Sequence, residues 1–561
     1  MPKNNNNSNL ILEEYESEFS YQKPKSNLII SFNRVAFIFF VFLIISIIFS
    51  SKAIYLGGFK KVERKLEIFK LNFRSTILDN SGNIIAKTIM TNHVGIDPKL
   101  VIDKEKILIN LKLIFPNKNF NEIEKKLNDK NFFYIHKKIS QEKLEKLLLL
   151  GDKSIIPEEK IARIYPQENL FSHIVGQIDD DNKGISGIEK SYDFELRKDN
   201  KPLHLTLDTN IQFLIREELI KFQKIFRNKG SASILMDVNN GNILSMVSLP
   251  DFNLNKREEI KDVNFINRAT KAVYEFGSVF KTFTLAAGFN EGIIEPETKF
   301  KNLKKKLICA GNYIEEYDNK MPSDLTAEQI LIRSSNIGSV KIAQKLGIEK
   351  FVLFLKKIGI LEKIEFDIEE VGQVPILQWG KCKLATASFG HGISTTLLQL
   401  VKGYSIITNG GYYIEPTLIN KDNKKIKQRR RILKKEVSEK INPILRKVVS
   451  TKEGTAGFAN VFGYEVGGKT GTADKSKFGS YSKDKINTFV SIFPTSQPKY
   501  VLLVLLDEPK PSKEYVYHYR DGRKPYKGNW RNTAGWTSVE IAGKIIEKIG
   551  PILATKYMEV N

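Results

Sequence analysis

Residues Tyr274–Lys281 read YEFGSVFK. Gly277 interrupts the chain, and a helical apolar pattern then runs to Asn290-Glu291-Gly292, a stop signal. The spacing therefore puts Ser278 in a first helical turn. Lys281 lies three residues on, so both side chains share a face, about 5–6 Å apart at Cβ. A serine hydroxyl is a weak nucleophile and needs a base beside it. A lysine can be that base if burial or positive neighbours lower its pKa. The helix N-terminus also favours developing negative charge. Taken alone, S-x-x-K reads equally well as a solvated Ser and Lys.

Two further stretches give this one meaning. Arg333–Asn336 is RSSN, preceded by a Thr326/Gln329 capping box that opens a short helix. A second helix runs from Ile337 until Gly347. Ser334 and Asn336 thus fall on a helix–helix connection, where a hydroxyl can relay a proton and an amide can hold a peptide bond. Alone, S-x-N is an ordinary cap or turn. Gly467–Ala473 is GGKTGTA, whose glycines allow close backbone approach. Lys469, Thr470 and Thr472 are expected along an edge strand. Gly463–Thr470 also fits a phosphate-loop pattern letter for letter, but no helix follows it, so the nucleotide reading is set aside.

Around these motifs, Leu203–Asp208 alternates as a strand, and Ile211, Ile215, Leu219, Phe222 and Phe226 give one apolar helix face. Ser231–Ser248 is two apolar runs around Asn-Asn-Gly, a hairpin signature. Thr488–Pro494 and Tyr500–Leu506 are two more runs, and Val539–Ile552 reads as a closing helix. Strands from both ends with helices between predict one sheet of an α+β domain. Upstream, Arg74–Ala86 reads as strand, turn, strand, and residues 101–150 carry helical spacing without a chemical motif.

The chain has 561 residues, which at roughly 100–200 per domain means more than one domain. Hydrophobic residues at 41% exclude wholesale disorder. The net charge of +24 comes mostly from lysines spread along the chain, a compositional drift rather than a ligand patch. Lys421–Lys435, KDNKKIKQRRRILKK, lacks the aromatics that stack bases, and is expected as an exposed hairpin, not a nucleic-acid site. Two cysteines, Cys309 and Cys382, exclude a disulfide-dense scaffold and a four-cysteine zinc site; whether they pair stays open. Residues 35–51 are uncharged and apolar, an anchor rather than a cleaved signal, since they start far from Met1 and no small-x-small site follows. More basic residues follow this span than precede it, but a long C-terminal domain translocates largely regardless of that count.

The ordered set S-x-x-K, S-x-N, K-T-G occurs in serine β-lactamases and penicillin-binding proteins. With it come RSTILDNSG, Arg163-Ile164-Tyr165-Pro166, GISGIEKSYDFEL, LTLDTNIQ, DVNNGNILSMVSLPDFNLN, SFGHGIS, EGTA and TAGW, in family order. The chain resembles a class B, monofunctional penicillin-binding protein, a peptidoglycan D,D-transpeptidase, most like the cell-division (septal) branch. It departs at Phe276, where the family usually has Pro, and at His391, a position often held by Gln. The resemblance implies a penicillin-recognising fold, an antiparallel sheet flanked by helices, behind an elongated pedestal and one transmembrane helix. The expected layout is a cytoplasmic tail at 1–33, an anchor at 34–52, a pedestal or dimerisation-type domain at 53–202 and a transpeptidase domain at 203–561.

By the same resemblance, Ser278 attacks the penultimate D-alanine carbonyl of a stem peptide and Lys281 takes its proton. Ser334 passes a proton to the leaving amine, and Lys469 keeps the local field positive. Asn336 holds the substrate peptide. Thr470 and Thr472 receive its carboxylate, or that of a β-lactam, and Gly471 between them is also substrate-binding. The N–H groups of Ser278 and Thr472 form the oxyanion hole. No metal or organic cofactor is implied. The implied partners are nascent peptidoglycan, β-lactams, the inner membrane, a polytopic glycosyltransferase and other division proteins, with the catalytic domain in the periplasm. Alternatives are an elongation-type transpeptidase, a membrane-anchored serine β-lactamase or D,D-carboxypeptidase, and a non-catalytic scaffold. Glu369 and Glu370 lie 35 and 36 residues after Ser334, downstream of the second motif like a β-lactamase water-activating glutamate, but Val374 stands where its companion Asn would be, and they read as two solvated carboxylates. The aromatic, basic loop Glu508–Arg531 is expected to border the acceptor side of the cleft.

Overall fold

The computed structural model describes residues 26–55, 73–198, 201–256, 264, 266–309, 311–375, 377–420, 430–477, 480–529 and 531–557. Residues 1–25, 56–72 and 421–429 lie outside them, and with them the expected tail and most of the expected basic hairpin. Ser26–Ile54 forms one helix, α1. Its Ala36–Ile54 stretch has a mean hydropathy of 2.5 and no buried part, which is the length and composition needed to cross a bilayer. The helix starts N-terminal to the span expected at 34–52, because no Gly or Pro breaks it before Ser26.

A second unit runs from Phe73. It opens with β1 (Ile77–Leu78) and β2 (Ile84–Ile96), joined by a turn in which Asp79 accepts from the N–H of Ser81 and Asn83. Then come α2 (Lys104–Ile114), α3 (Phe120–Asn128), β3 (Phe133–Ile139), α4 (Gln141–Leu148), β4 (Ile155–Ile164), α5 (Gly187–Ser191) and β5 (Leu203–His204). The sheet order is β3-β2-β1-β5, with β4 also on β2. Strand β3 falls inside the stretch read as helical. Pairing to β2 decides its conformation, not its own lysine-rich period.

Two cores follow. Val94, Ile96, Ile107, Leu111, Ile123, Leu127, Ile135 and Leu147 close a small one of their own. Ile77, Ile85, Tyr165, Phe171, Ile174 and Ile188 belong instead to the large core shared with residues after 203. Between them, three distant segments meet on one buried carboxylate. Glu189 accepts from Arg163 Nε at 2.8 Å and pairs with Arg74, whose Nη1 also reaches Asp193 at 2.7 Å.

The rest of the chain contributes α6 (Thr209–Phe226), β6 (Gly230–Asp237), β7 (Ile243–Leu249), α7 (Phe280–Asn290), β8 (Lys306–Cys309), β9 (Asn312–Glu315), α8 (Ala327–Ile332) and α9 (Asn336–Leu346). They are followed by α10 (Lys381–Ala387), α11 (Leu397–Thr408), α12 (Lys435–Ser450), β10 (Gly467–Lys477), β11 (Ser480–Phe493), β12 (Tyr500–Asp507) and α13 (Ser538–Lys556). Five strands form an antiparallel sheet in the order β10-β11-β12-β6-β7. The last strands thus pair with the first, as the sequence pattern predicts. Every residue of β6, β7 and β12 is buried, so both sheet faces are covered. Helices α6 and α13 pack together and on the sheet, as do α11 and α12. Helix α7 is enclosed: all ten residues from Phe280 to Phe289 are buried. Cys309 and Cys382 form a disulfide, Cα–Cα 5.5 Å, that ties the β8–β9 hairpin to α10.

Candidate active site

The nucleophile candidate stands on a tight turn. Gly277–Val279 is a 3-10 turn leading into α7, and Gly277 has φ +56°, so a residue with a side chain would be strained there. A Cβ on Gly277 would also meet Thr472 O at 2.8 Å, and one on Gly471 would meet Phe276 O at 2.2 Å. The K-T-G strand and the serine turn are therefore in direct backbone contact, and glycine is what allows it. Phe276, in place of the family's Pro, is fully buried in the large core.

Lys281 is buried in the first turn of α7. Its Nζ donates to Ser334 O at 2.6 Å and to Ser334 Oγ at 3.1 Å. Burial pulls its pKa down to about 7, against a smaller upward pull from Glu316. Lys469, also buried, projects from β10 and donates to the same Ser334 Oγ at 2.9 Å. Burial, and then the charge of Lys281, hold Lys469 well below the ordinary lysine range. One hydroxyl thus lies between two amines from different elements.

Ser334 takes φ +61° in the α8–α9 connection, a conformation uncommon outside glycine. The capping box on Thr326 and Gln329 forms as expected. Ser335 caps α9 through Gly338 N. Asn336 is half-buried, and its Nδ2 donates to Glu315 O at 2.7 Å. On the strand, Thr470 Oγ1 lies 2.7 Å from Thr455 Oγ1, and Thr472 Oγ1 accepts from Ala534 N at 3.0 Å. The EGTA and TAGW segments therefore brace the two K-T-G-T hydroxyls. Arg333 and Glu453 form a two-pronged ion pair that joins RSSN to EGTA. On the other flank, Glu275 accepts from Gly392 N at 2.9 Å and from Tyr481 OH at 3.0 Å, while His391 stacks on Tyr481 at 4.7 Å.

The structure brings Ser278, Lys281, Ser334, Asn336, Lys469, Thr470, Gly471 and Thr472 to one place. It adds Thr455, Glu316 and Glu275, which sequence reading did not single out. Thr455 had a signal, since EGTA stands out as a segment; Glu316 had none, because hairpin register puts it there. Glu369 and Glu370 go elsewhere: Glu369 pairs with Lys190 at 2.7 Å, and Glu370 accepts from Gly187 N at 3.0 Å. Neither is a water-activating base for Ser278. Tyr515 and Tyr517 of the 508–531 loop also turn inward. Tyr515 packs on Phe222 and Tyr517 on Phe458 and Trp536, so these rings are core and not cleft lining. Among the described residues, no group of three or more His, Cys, Asp or Glu is placed to hold a metal.

Comparison with known proteins agrees with this geometry. Residues 231–523 match the penicillin binding protein transpeptidase domain, and residues 72–214 match the penicillin-binding protein dimerisation domain. The chain is 28% identical to a probable peptidoglycan D,D-transpeptidase FtsI of Caulobacter vibrioides, over 86% of this chain and 82% of that one. It is 27% identical to peptidoglycan D,D-transpeptidase FtsI of Buchnera aphidicola (84% and 88%), and 29% to stage V sporulation protein D of Bacillus subtilis (78% and 74%). With both domain models matched in order and the three motifs gathered around one hydroxyl, the chain belongs to the penicillin-binding protein transpeptidases, as a class B, FtsI-like serine D,D-transpeptidase.

Proposed function

We propose that this chain crosslinks peptidoglycan stem peptides through an acyl-enzyme on Ser278, at the division septum. The single observation that carries the mechanism is the Ser334 hydroxyl held between Lys281 and Lys469. A neutral lysine has two N–H groups and one lone pair. Lys281 directs N–H groups at Ser334 O and Oγ, which leaves its lone pair for the proton of Ser278. A pKa near 7 keeps much of it neutral at physiological pH. The substrate carboxylate docks on Thr470 and Thr472 and supplies the counter-charge that restores a proton to Lys469. The N–H groups of Ser278 and Thr472 receive the oxyanion. Ser334 protonates the leaving D-alanine, and the amine of a second strand then takes the acyl group.

Residues 34–52 serve as the single membrane anchor, 53–202 as pedestal and 203–561 as the catalytic domain. The disulfide supports a catalytic domain in an oxidising compartment, hence the periplasmic side. The FtsI-named relatives support the septal role; a polytopic glycosyltransferase as partner rests on the family resemblance alone. The test is a time course of labelling by a fluorescent penicillin, on the full chain in detergent and on Ser278→Ala. Persistent label on the native chain, absent from the variant, is expected. Label that clears within seconds would instead indicate hydrolysis.

A further inference from the structure

The left-handed Ser334 needs something to hold it, since an uncommon backbone conformation persists only where its surroundings fix it. The two lysines grip its oxygen atoms on one side. On the other, one carboxylate does the holding. Glu316 directly follows β9 at the base of the β8–β9 hairpin. Its Oε1 accepts from Ser335 Oγ at 2.5 Å and from Ile337 N at 3.1 Å, and its Oε2 accepts from Asn336 N at 2.9 Å. The residue before it, Glu315, accepts from the Asn336 amide through its carbonyl. Three consecutive residues of the S-x-N turn are thus held from one point.

We infer that Glu316 is the positioning residue of the S-x-N turn: its carboxylate fixes Ser335, Asn336 and Ile337, so that the Ser334 hydroxyl stays between Lys281 and Lys469. This rests on the acyl-enzyme reading above. The hairpin that carries Glu316 is itself pinned at both ends. At its tip, Cys309 pairs with Asn312 across the turn and is bonded to Cys382 of α10. At its base, Glu316 N donates to Lys305 O at 3.3 Å. The disulfide therefore holds the clamp, and the clamp holds the turn. The carboxylate also acts on Lys281 through space. The charged group that acts on Lys281 is Glu316, from the hairpin, while Lys281 in turn acts on Lys469, from β10. Glu316 favours the protonated form of Lys281, and Lys281 disfavours the protonated form of Lys469.

The experiment measures the acylation rate by fluorescent penicillin from pH 5 to 9 on the full chain in detergent, with melting curves alongside. Glu316→Ala is expected to acylate roughly 10- to 100-fold more slowly, the scale set by loss of alignment in a reacting site. Glu316→Gln keeps an acceptor oxygen and loses less rate. Its acidic limb moves to lower pH, because the attraction that favoured protonated Lys281 is gone. Reducing the Cys309–Cys382 disulfide slows the native chain and adds less to Glu316→Ala, since both act through one clamp. Native-like acylation by Glu316→Ala, or an unmoved acidic limb in Glu316→Gln, overturns the inference. If Glu316→Ala melts early, the Glu316→Gln limb decides alone. Failure of the native chain to hold label would instead strike the Ser278 reading, and this inference with it.

Discussion

Acylation of this protein should titrate with Lys281, and the structure sets both where and how steeply. Burial brings the amine from an ordinary 10.5 to about 7, a cost to its charged form of about 5 kcal/mol. At pH 7.5 an unperturbed lysine would be neutral on the order of one time in a thousand, whereas Lys281 is neutral in most molecules. The base must be neutral to accept the proton of Ser278. Since the folded pKa is depressed, the active form is lost as pH falls through about 7. The second-order rate constant for a fluorescent penicillin should therefore climb roughly tenfold per unit between pH 5 and 6.5, and flatten above pH 8. Stopped-flow labelling of the full chain, with Ser278→Ala as blank, reads this directly. Lys281→Arg keeps a buried cation but cannot deprotonate, so it should lose the label at every pH. A flat profile from pH 5 to 9, or a limb centred above pH 9, would refute the argument that burial makes Lys281 the base.

Two other perturbations test the frame around the site. Gly471→Ala places a Cβ 2.2 Å from Phe276 O and forces the K-T-G strand off the serine turn; acylation should fall roughly 100-fold, and labelling at the native rate would show that this contact is not needed. Glu189→Ala leaves Arg74 and Arg163 buried without their shared carboxylate, a loss of about 3–5 kcal/mol that corresponds to roughly 3–5 °C in melting temperature for a unit of this size. Scanning fluorimetry that finds no shift would mean the three pedestal segments do not depend on that carboxylate.

The catalytic sheet was legible because its strands are long, apolar and bounded by strong turns. Asn239-Asn240-Gly241 between β6 and β7 is a local signal that needs no tertiary help. The motif residues were legible for a different reason: an ordered set of three short patterns is rarely accidental, although each alone is weak. What sequence could not give is register and cross-chain pairing. Strand β3 is lysine-rich and takes its conformation from β2. Glu316 and Thr455 reach the site only because a hairpin end and a loop end there. The Cys309–Cys382 bond joins residues 73 apart in the chain and depends on where α10 lies. Tyr515 and Tyr517 read as cleft lining because aromatics next to basic residues resemble a binding loop, but a neighbouring helix and Trp536 bury them.

The direction of proton flow follows from counting hydrogens at Ser334. A hydroxyl has two acceptor lone pairs and one proton. Lys281 and Lys469 both donate to Ser334 Oγ, so both lone pairs are engaged. The remaining proton points away from the amines, and on the proposed reading it is the one given to the leaving nitrogen. Once given, the alkoxide left behind sits between two amines and is reprotonated by whichever carries the charge, which after acylation is Lys281 with the proton taken from Ser278. At Thr472 one lone pair accepts from Ala534 N, and its proton stays available for donation. The Ser334 hydroxyl is thus oriented by what it accepts. A substitution that removes a donor, rather than the hydroxyl itself, should therefore scramble the relay while leaving every motif letter in place.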